Sequence, residues 1–190
     1  MKIGIFGGSF NPPHYMHLDI AQSLINGGYL DKVIYIPTGD SYNKKGLIDF
    51  NDRYNMLKLI IKNNSKLYLS DLGNKKDYEY TYQVLDYFKK NNPYDDIYFI
   101  CGTDNLNEFE MWKRYEYILE NYKLLVIKRN DDNLDDILMD INSQNIVVAN
   151  IELDNISSTY IRKNIIKGNQ KIIKYVDPCV LDYMNKNKCY

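Results

Sequence analysis

The chain has 190 residues, 45% hydrophobic and 26% charged, with 24 Lys plus Arg against 25 Asp plus Glu. This suits one soluble globular domain with a sizeable core, and a formal net charge of −1 leaves no electrostatic footprint for a nucleic-acid or membrane-surface binder. Cys101, Cys179 and Cys189 form no paired motif, no basic leader precedes the first strand, and no apolar run approaches the roughly 18 residues of a spanning helix; disulfide scaffold, secretion and insertion are disfavoured and the cytoplasm is expected.

Residues 2–6 read as a strand, Gly7 and Gly8 permit a tight turn, and apolar spacing predicts a helix over 15–27 with His17, Ile20, Ala21, Leu24 and Ile25 inward. Strand-like runs follow at 32–36, 66–69, 96–101, 123–127 and 145–149, alternating with helical spacing at 50–63, 78–90, 114–120 and 157–167. Asp177-Pro178 reads as an N-cap and first-turn proline, opening a last helix with Val180, Leu181 and Met184 inward. Strand and helix in alternation predict an α/β fold, a doubly wound Rossmann-like parallel sheet with helices on both faces. Continuous apolar runs such as Val33–Ile36 and Leu124–Ile127 suit strands covered on both sides. With no linker or repeat, residues 1–190 read as one domain with a short helical C-terminal part at about 157–187. The stretch 37–49, holding Gly39, Lys44, Lys45 and Gly46, is a long connection and a candidate substrate lid. Nineteen tyrosines, spread without a stacking motif, read as compositional bias.

The only two histidines, His14 and His17, stand directly behind the first strand and its Gly-Gly turn. A helix opening near Tyr15 points free amides and its positive dipole end at that turn, and two imidazoles one helical turn apart add donors for a phosphate. The bland alternative is a hydrogen-bonded core histidine at a helix start. Ser157 is a plausible N-cap, with Ser158 and Arg162 four apart on one helical face, where hydroxyl, amides and guanidinium can converge on an oxyanion. No Gly-x4-Gly-Lys-Ser/Thr or Gly-x-Gly-x-x-Gly follows the first strand, so P-loop and nicotinamide-dinucleotide chemistry are disfavoured. A zinc site would need Asp104 or Cys101 as third ligand, and no metal site is expected. Asp104 reads either as a ribose-binding carboxylate or as a helix N-cap before Leu106. Trp112 reads as a partly buried residue at a helix start, and Arg53 and Arg129 as surface or ion-pair residues.

Gly7-Gly-Ser-Phe-Asn-Pro-Pro-His-Tyr-Met-His17 and Ile156-Ser-Ser-Thr-Tyr-Ile-Arg162 together resemble the two signatures, His/Thr-x-Gly-His and Ile-Ser-Ser-Thr-x-x-Arg, of a nucleotidyltransferase superfamily. Within it they look like those of bacterial nicotinate mononucleotide adenylyltransferases. Cys101-Gly-Thr-Asp104, Trp112, Arg53, Met56 and the Tyr80-Thr81 pair also match. Two departures stand out. Met16 replaces the glycine between the histidines, and Asn43-Lys44 (or Lys44-Lys45 in another register) stands where the family has Pro-Pro-His-Lys.

The resemblance implies transfer of the AMP moiety of ATP to nicotinate or nicotinamide mononucleotide, giving the dinucleotide and pyrophosphate, with Mg2+ carried by ATP. It implies His14, His17, Arg162 and Lys44 as catalytic residues. The ATP contacts implied are Gly7, Gly8, Ser9, Phe10, His14, His17, Gly102, Asp104, Ser157, Ser158, Thr159 and Arg162. Asn11, Lys44, Tyr80, Thr81, Asp104 and Trp112 would meet the acceptor nucleotide. Rival readings are another adenylyl or cytidylyl transferase, such as one acting on phosphopantetheine, and a non-catalytic nucleotide sensor, which Met16 keeps open.

Overall fold

Strand β1 (Lys2–Gly8) lies at the middle of a six-stranded, all-parallel sheet of order β3-β2-β1-β4-β5-β6, with β2 at Lys32–Pro37, β3 at Leu67–Leu69, β4 at Asp96–Gly102, β5 at Lys123–Ile127 and β6 at Ile146–Ala149. This computed structural model describes residues 1–42, 44–128, 144–151, 156–167 and 170–190, so Arg129 and Asn43 fall outside the described residues. Strand order reverses between β1 and β4, and the crevice beyond their carboxyl ends is where such sheets take ligands.

The strand sequences are apolar throughout because alternate residues enter different cores. Ile3 and Ile5 of β1, Ile34 and Ile36 of β2, Phe99 of β4 and Val126 of β5 face one core with Val84, Leu85 and Phe88. Val33, Tyr35, Ile100 and Leu125 face the other with Ala21, Leu24 and Leu57. Helices α1 (Tyr15–Asn26) and α2 (Phe50–Ile61) therefore cover one face, while α3 (Thr81–Asn91), α4 (Thr103–Asn107) and α5 (Tyr115–Asn121) cover the other. A third, smaller core joins Met56 of α2 to Ile161 of α6 (Ser158–Ile166) and to Val180 and Met184 of α7 (Pro178–Asn187). It seats the C-terminal helices on α2.

The expected caps form: Ser157 accepts from the Tyr160 amide and Asp177 from the Cys179 amide. Three details differ from expectation. Single 3-10 turns at Leu72–Asn74 and Lys76–Tyr78 delay α3 until Thr81. Gly102 caps α4, so Asp104 is its second residue and not an N-cap. Trp112 lies in extended backbone after a 3-10 turn, three residues before α5 begins.

The connection after β2 runs against the segment after β3 with almost no clearance. A Cβ on Gly39 would lie 2.4 Å from the Gly73 carbonyl oxygen, and one on Gly73 would lie 2.3 Å from that of Pro37. Backbone, unlike a flexible side-chain tip, cannot yield cheaply, so Gly73→Ala is expected to cost about 1–3 kcal/mol. For a chain of this size that corresponds to a Tm lower by about 3–10 °C. Thermal unfolding followed by circular dichroism measures it, and an unchanged Tm would show that the two loops can separate freely.

Candidate active site

The loop from Gly8 to His14 holds a strained turn. Phe10 adopts φ 45°, a left-handed backbone that costs a bulky residue about 1–2 kcal/mol. Its ring is buried and packs edge-on against Phe6 at 5.6 Å, Tyr35 at 5.6 Å and His17 at 4.9 Å between centroids. Such pairs contribute about 0.5–1.5 kcal/mol each beyond area burial, enough to hold the turn. The Asn11–Pro12 peptide bond is cis.

His14 is the extended N-cap residue of α1, and it is buried. Its amide donates to His17 Nδ1 at 3.1 Å, and the two rings lie 3.9 Å apart at their centroids. That bond uses the Nδ1 lone pair, so neutral His17 carries its proton on Nε2 and presents it as a donor. The Tyr35 hydroxyl, kept protonated by burial, donates to the His17 carbonyl at 2.8 Å. Met16 is the second residue of α1 and adopts ordinary helical backbone, so replacing glycine there brings no conformational strain.

The loop carbonyls point at donors from distant segments. The Ser158 hydroxyl donates to Pro12 O at 2.8 Å, and Arg162 Nη1 donates to Asn11 O; these partners are 146 and 151 positions apart in sequence. Arg162 Nη2 also donates to Thr159 Oγ1 at 3.2 Å. Two of the five guanidinium N–H groups serve these bonds. The front and rear motifs thus meet in one place.

Arg53, read from sequence as a surface or ion-pair residue, does form an ion pair, with Asp40, but it is completely buried and not on the surface. Its Nε donates to Ile48 O at 2.9 Å, Nη1 to Thr38 O at 2.7 Å and Ser9 O at 3.2 Å, and Nη2 reaches Asp40 Oδ1 at 3.3 Å. Burial lowers its pKa and the Asp40 carboxylate raises it again. Dehydrating a guanidinium costs several kcal/mol, offset here by several charge-assisted bonds of about 1.5–3 kcal/mol each. Arg53 therefore ties the connection after β2 to the loop from Gly8 to His14. Lys44 Nζ, 3.3 Å from Ser9 Oγ, and Asn11 Nδ2, 2.7 Å from Gly46 O, tie it again. Asn11 is buried, and its Oδ1 accepts from the Tyr190 hydroxyl at 2.6 Å.

The residues expected at the acceptor form a second group. Trp112 packs edge-on against Phe99 at 5.4 Å, and the Phe99 ring would touch a Cβ on Gly7 at 3.3 Å, which brings the indole to the same end of the sheet as the Gly-Gly turn. Tyr80 caps α3, 45% exposed, and Thr81 is the first residue of that helix. The Tyr80 ring stacks over Tyr82 at 6.2 Å, and Arg114 lies 5.0 Å over Tyr82. No bond among the described residues joins Tyr80 or Thr81 to the histidine loop. Asp104 is exposed on α4. Cys101 is buried, and burial pushes its thiol up to about 12.

The chain is similar to known proteins over most of its length. A cytidylyltransferase-like family model matches residues 5–164. The chain is 39% identical over 176 residues to the probable nicotinate-nucleotide adenylyltransferase of Clostridium tetani, covering 88% of each chain. It is 38% identical over 195 residues to that of Caldicellulosiruptor bescii, covering 98% of this chain and 97% of the relative. The solved Plasmodium falciparum nicotinic acid mononucleotide adenylyltransferase complexed with NaAD is similar at a TM-score of 0.85 and 28% identity, covering 98% of this chain and 95% of that one.

Arg53→Met keeps the apolar stem and removes the donors, leaving the part-buried carbonyls of Ser9, Thr38 and Ile48 without the guanidinium. The expected destabilisation is about 2–5 kcal/mol, read from the midpoint of urea unfolding. A midpoint equal to that of the wild type would refute the bridging role.

Proposed function

The chain belongs to the cytidylyltransferase-like family, and from that premise we propose that it joins the AMP moiety of ATP to nicotinate mononucleotide, giving deamido-NAD and pyrophosphate. The observation that carries the reading is the contact of Ser158 and Arg162 with the carbonyls of Pro12 and Asn11, beside the two histidines. In this reading the junction brings the donors of the front and rear motifs together around one triphosphate.

A phosphate oxygen of the mononucleotide attacks the α-phosphorus of ATP in line, and the bond from that phosphorus to the bridging oxygen of pyrophosphate breaks. The attacking monoester is largely ionised near neutral pH, so alignment and charge stabilisation carry the catalysis more than a general base does. Magnesium enters as part of the ATP substrate. His17 offers Nε2–H to the α-phosphate, and His14 stands beside it toward the β-phosphate. Gly7, Gly8, Ser9 and Phe10 form the wall over which the triphosphate lies. The first-turn amides of α1 and of α6, including those of Ser158 and Thr159 behind the Ser157 cap, add partial positive charge. Arg162 and Lys44 take up the charge developing on pyrophosphate.

Gly102, at the end of β4, and Asp104, in the first turn of α4, meet a ribose. Trp112 stacks beside the pyridine ring with Tyr80 and Thr81 near it. Asn11 contributes through the loop that it braces. We assign the reaction to the cytoplasm, in keeping with the free thiols of Cys101, Cys179 and Cys189.

Purified protein with ATP, magnesium and nicotinate mononucleotide is expected to release pyrophosphate, with far slower release when nicotinamide mononucleotide or phosphopantetheine replaces the acceptor. Silence with all three would leave only a nucleotide sensor. In the same assay His17→Ala is expected to lower kcat about 100- to 1,000-fold while changing KM little, the signature of a donor acting mainly in the transition state. Turnover near wild type would remove His17 from that role.

A further inference from the structure

Asn11 joins three segments that are distant in sequence. Its carbonyl accepts from Arg162, its Nδ2 donates to Gly46 O in the 37–49 connection, and its Oδ1 accepts from Tyr190. With 1% of its surface exposed, its amide has little water to turn toward, so these partners decide which end of the amide faces which segment.

The chain takes deliberate steps to deliver Tyr190. Helix α7 docks on α2 through Val180 and Met184, and the Tyr183 hydroxyl donates to Asp52 Oδ1 at 2.9 Å and accepts from Asn55 Nδ2 at 3.2 Å. Lys188 then ends the helix in left-handed backbone, φ 52° and ψ 47°, at a cost that a non-glycine residue bears only when its surroundings impose it. The Cys189 amide closes that turn on Met184 O at 3.1 Å, and the next side chain reaches Asn11. Burial raises the Tyr190 pKa further than the neighbouring Arg162 and Arg53 lower it, so its hydroxyl is a donor at neutral pH.

We propose that Tyr190 is a positioning residue for the ATP half of the site: by fixing the Asn11 amide it holds the carbonyl on which Arg162 closes and the connection that carries Lys44. This rests on the adenylyltransferase reading for its substrate, although the bond network itself does not. Tyr190 acts through Asn11 and touches no reacting atom. Its loss should weaken the grip on ATP and leave the acceptor alone.

The test is Tyr190→Phe in the full chain, with Tyr183→Phe on the same helix as the control for general docking. Calorimetric titration with ATP and magnesium, without acceptor, is expected to give a Kd raised about 3- to 10-fold for Tyr190→Phe, the size expected for one hydrogen bond. The KM for nicotinate mononucleotide should stay within about twofold. Tyr183→Phe should lower Tm and leave the ATP Kd unchanged. In an Asn11→Ala background Tyr190→Phe should add nothing further, because the two act as a unit. Independently of any ligand, the Asn11 side-chain NH2 should exchange with solvent at least about tenfold faster in Tyr190→Phe. Wild-type ATP affinity together with wild-type exchange in that variant would overturn the proposal, as would an equal loss of ATP affinity in Tyr183→Phe with its Asn11 exchange unchanged. Absence of ATP binding by the wild type would sink the adenylyltransferase reading instead, and the exchange rate would then decide on Tyr190 alone.

Discussion

A loop folded against the interior has to give each of its carbonyl oxygens a hydrogen-bond partner. That demand shapes the region between β1 and α1. Ser9, Asn11 and Pro12 turn their carbonyls to Arg53, Arg162 and Ser158, which come from α2 and α6. Two of these donors are guanidinium groups, whose planar fork can bind several acceptors at once and whose charge does not titrate at any physiological pH. With these carbonyls engaged, the loop backbone is fixed between β1 and α1, and the start of α1 with it.

Strain and packing act together at the same place. Phe10 sits in left-handed backbone, and the cost is met by three aromatic neighbours, one of which is His17 itself. The imidazole is further fixed by the His14 amide on Nδ1 and by the Tyr35 hydroxyl on its carbonyl. A side chain held from ring, nitrogen and backbone has little freedom to lose when substrate binds, and that is the physical content of preorganisation.

The sheet was readable in the sequence because its strands are buried on both faces and so appear as short continuous apolar runs. The two motifs at the ends of the chain were readable because their residue types suit one chemistry. Arg53 was not readable, since its burial depends on carbonyls from Ser9, Thr38 and Ile48, and nothing in the local pattern around an arginine announces such partners. Helix α4 and the 3-10 turns before α3 are too short to show a period. The tyrosines that read as compositional bias include Tyr35 and Tyr190, whose hydroxyls bond the His17 carbonyl and the Asn11 side chain; an even spread of one residue type hides the few members with a defined partner.

The bonds that assemble the site are also among the most distant in sequence: 146 positions for Ser158 with Pro12, 151 for Arg162 with Asn11 and 179 for Tyr190 with Asn11. Closing such spans demands that nearly all of the intervening chain already be in place, because the entropy of a long loop is recovered only when its ends finally lock. The sheet can exist before these contacts, whereas the contacts cannot exist before the sheet. By loop-closure entropy alone the site is expected to form late in folding, after the sheet that carries it, so its completion would signal that both ends of the chain have found their places.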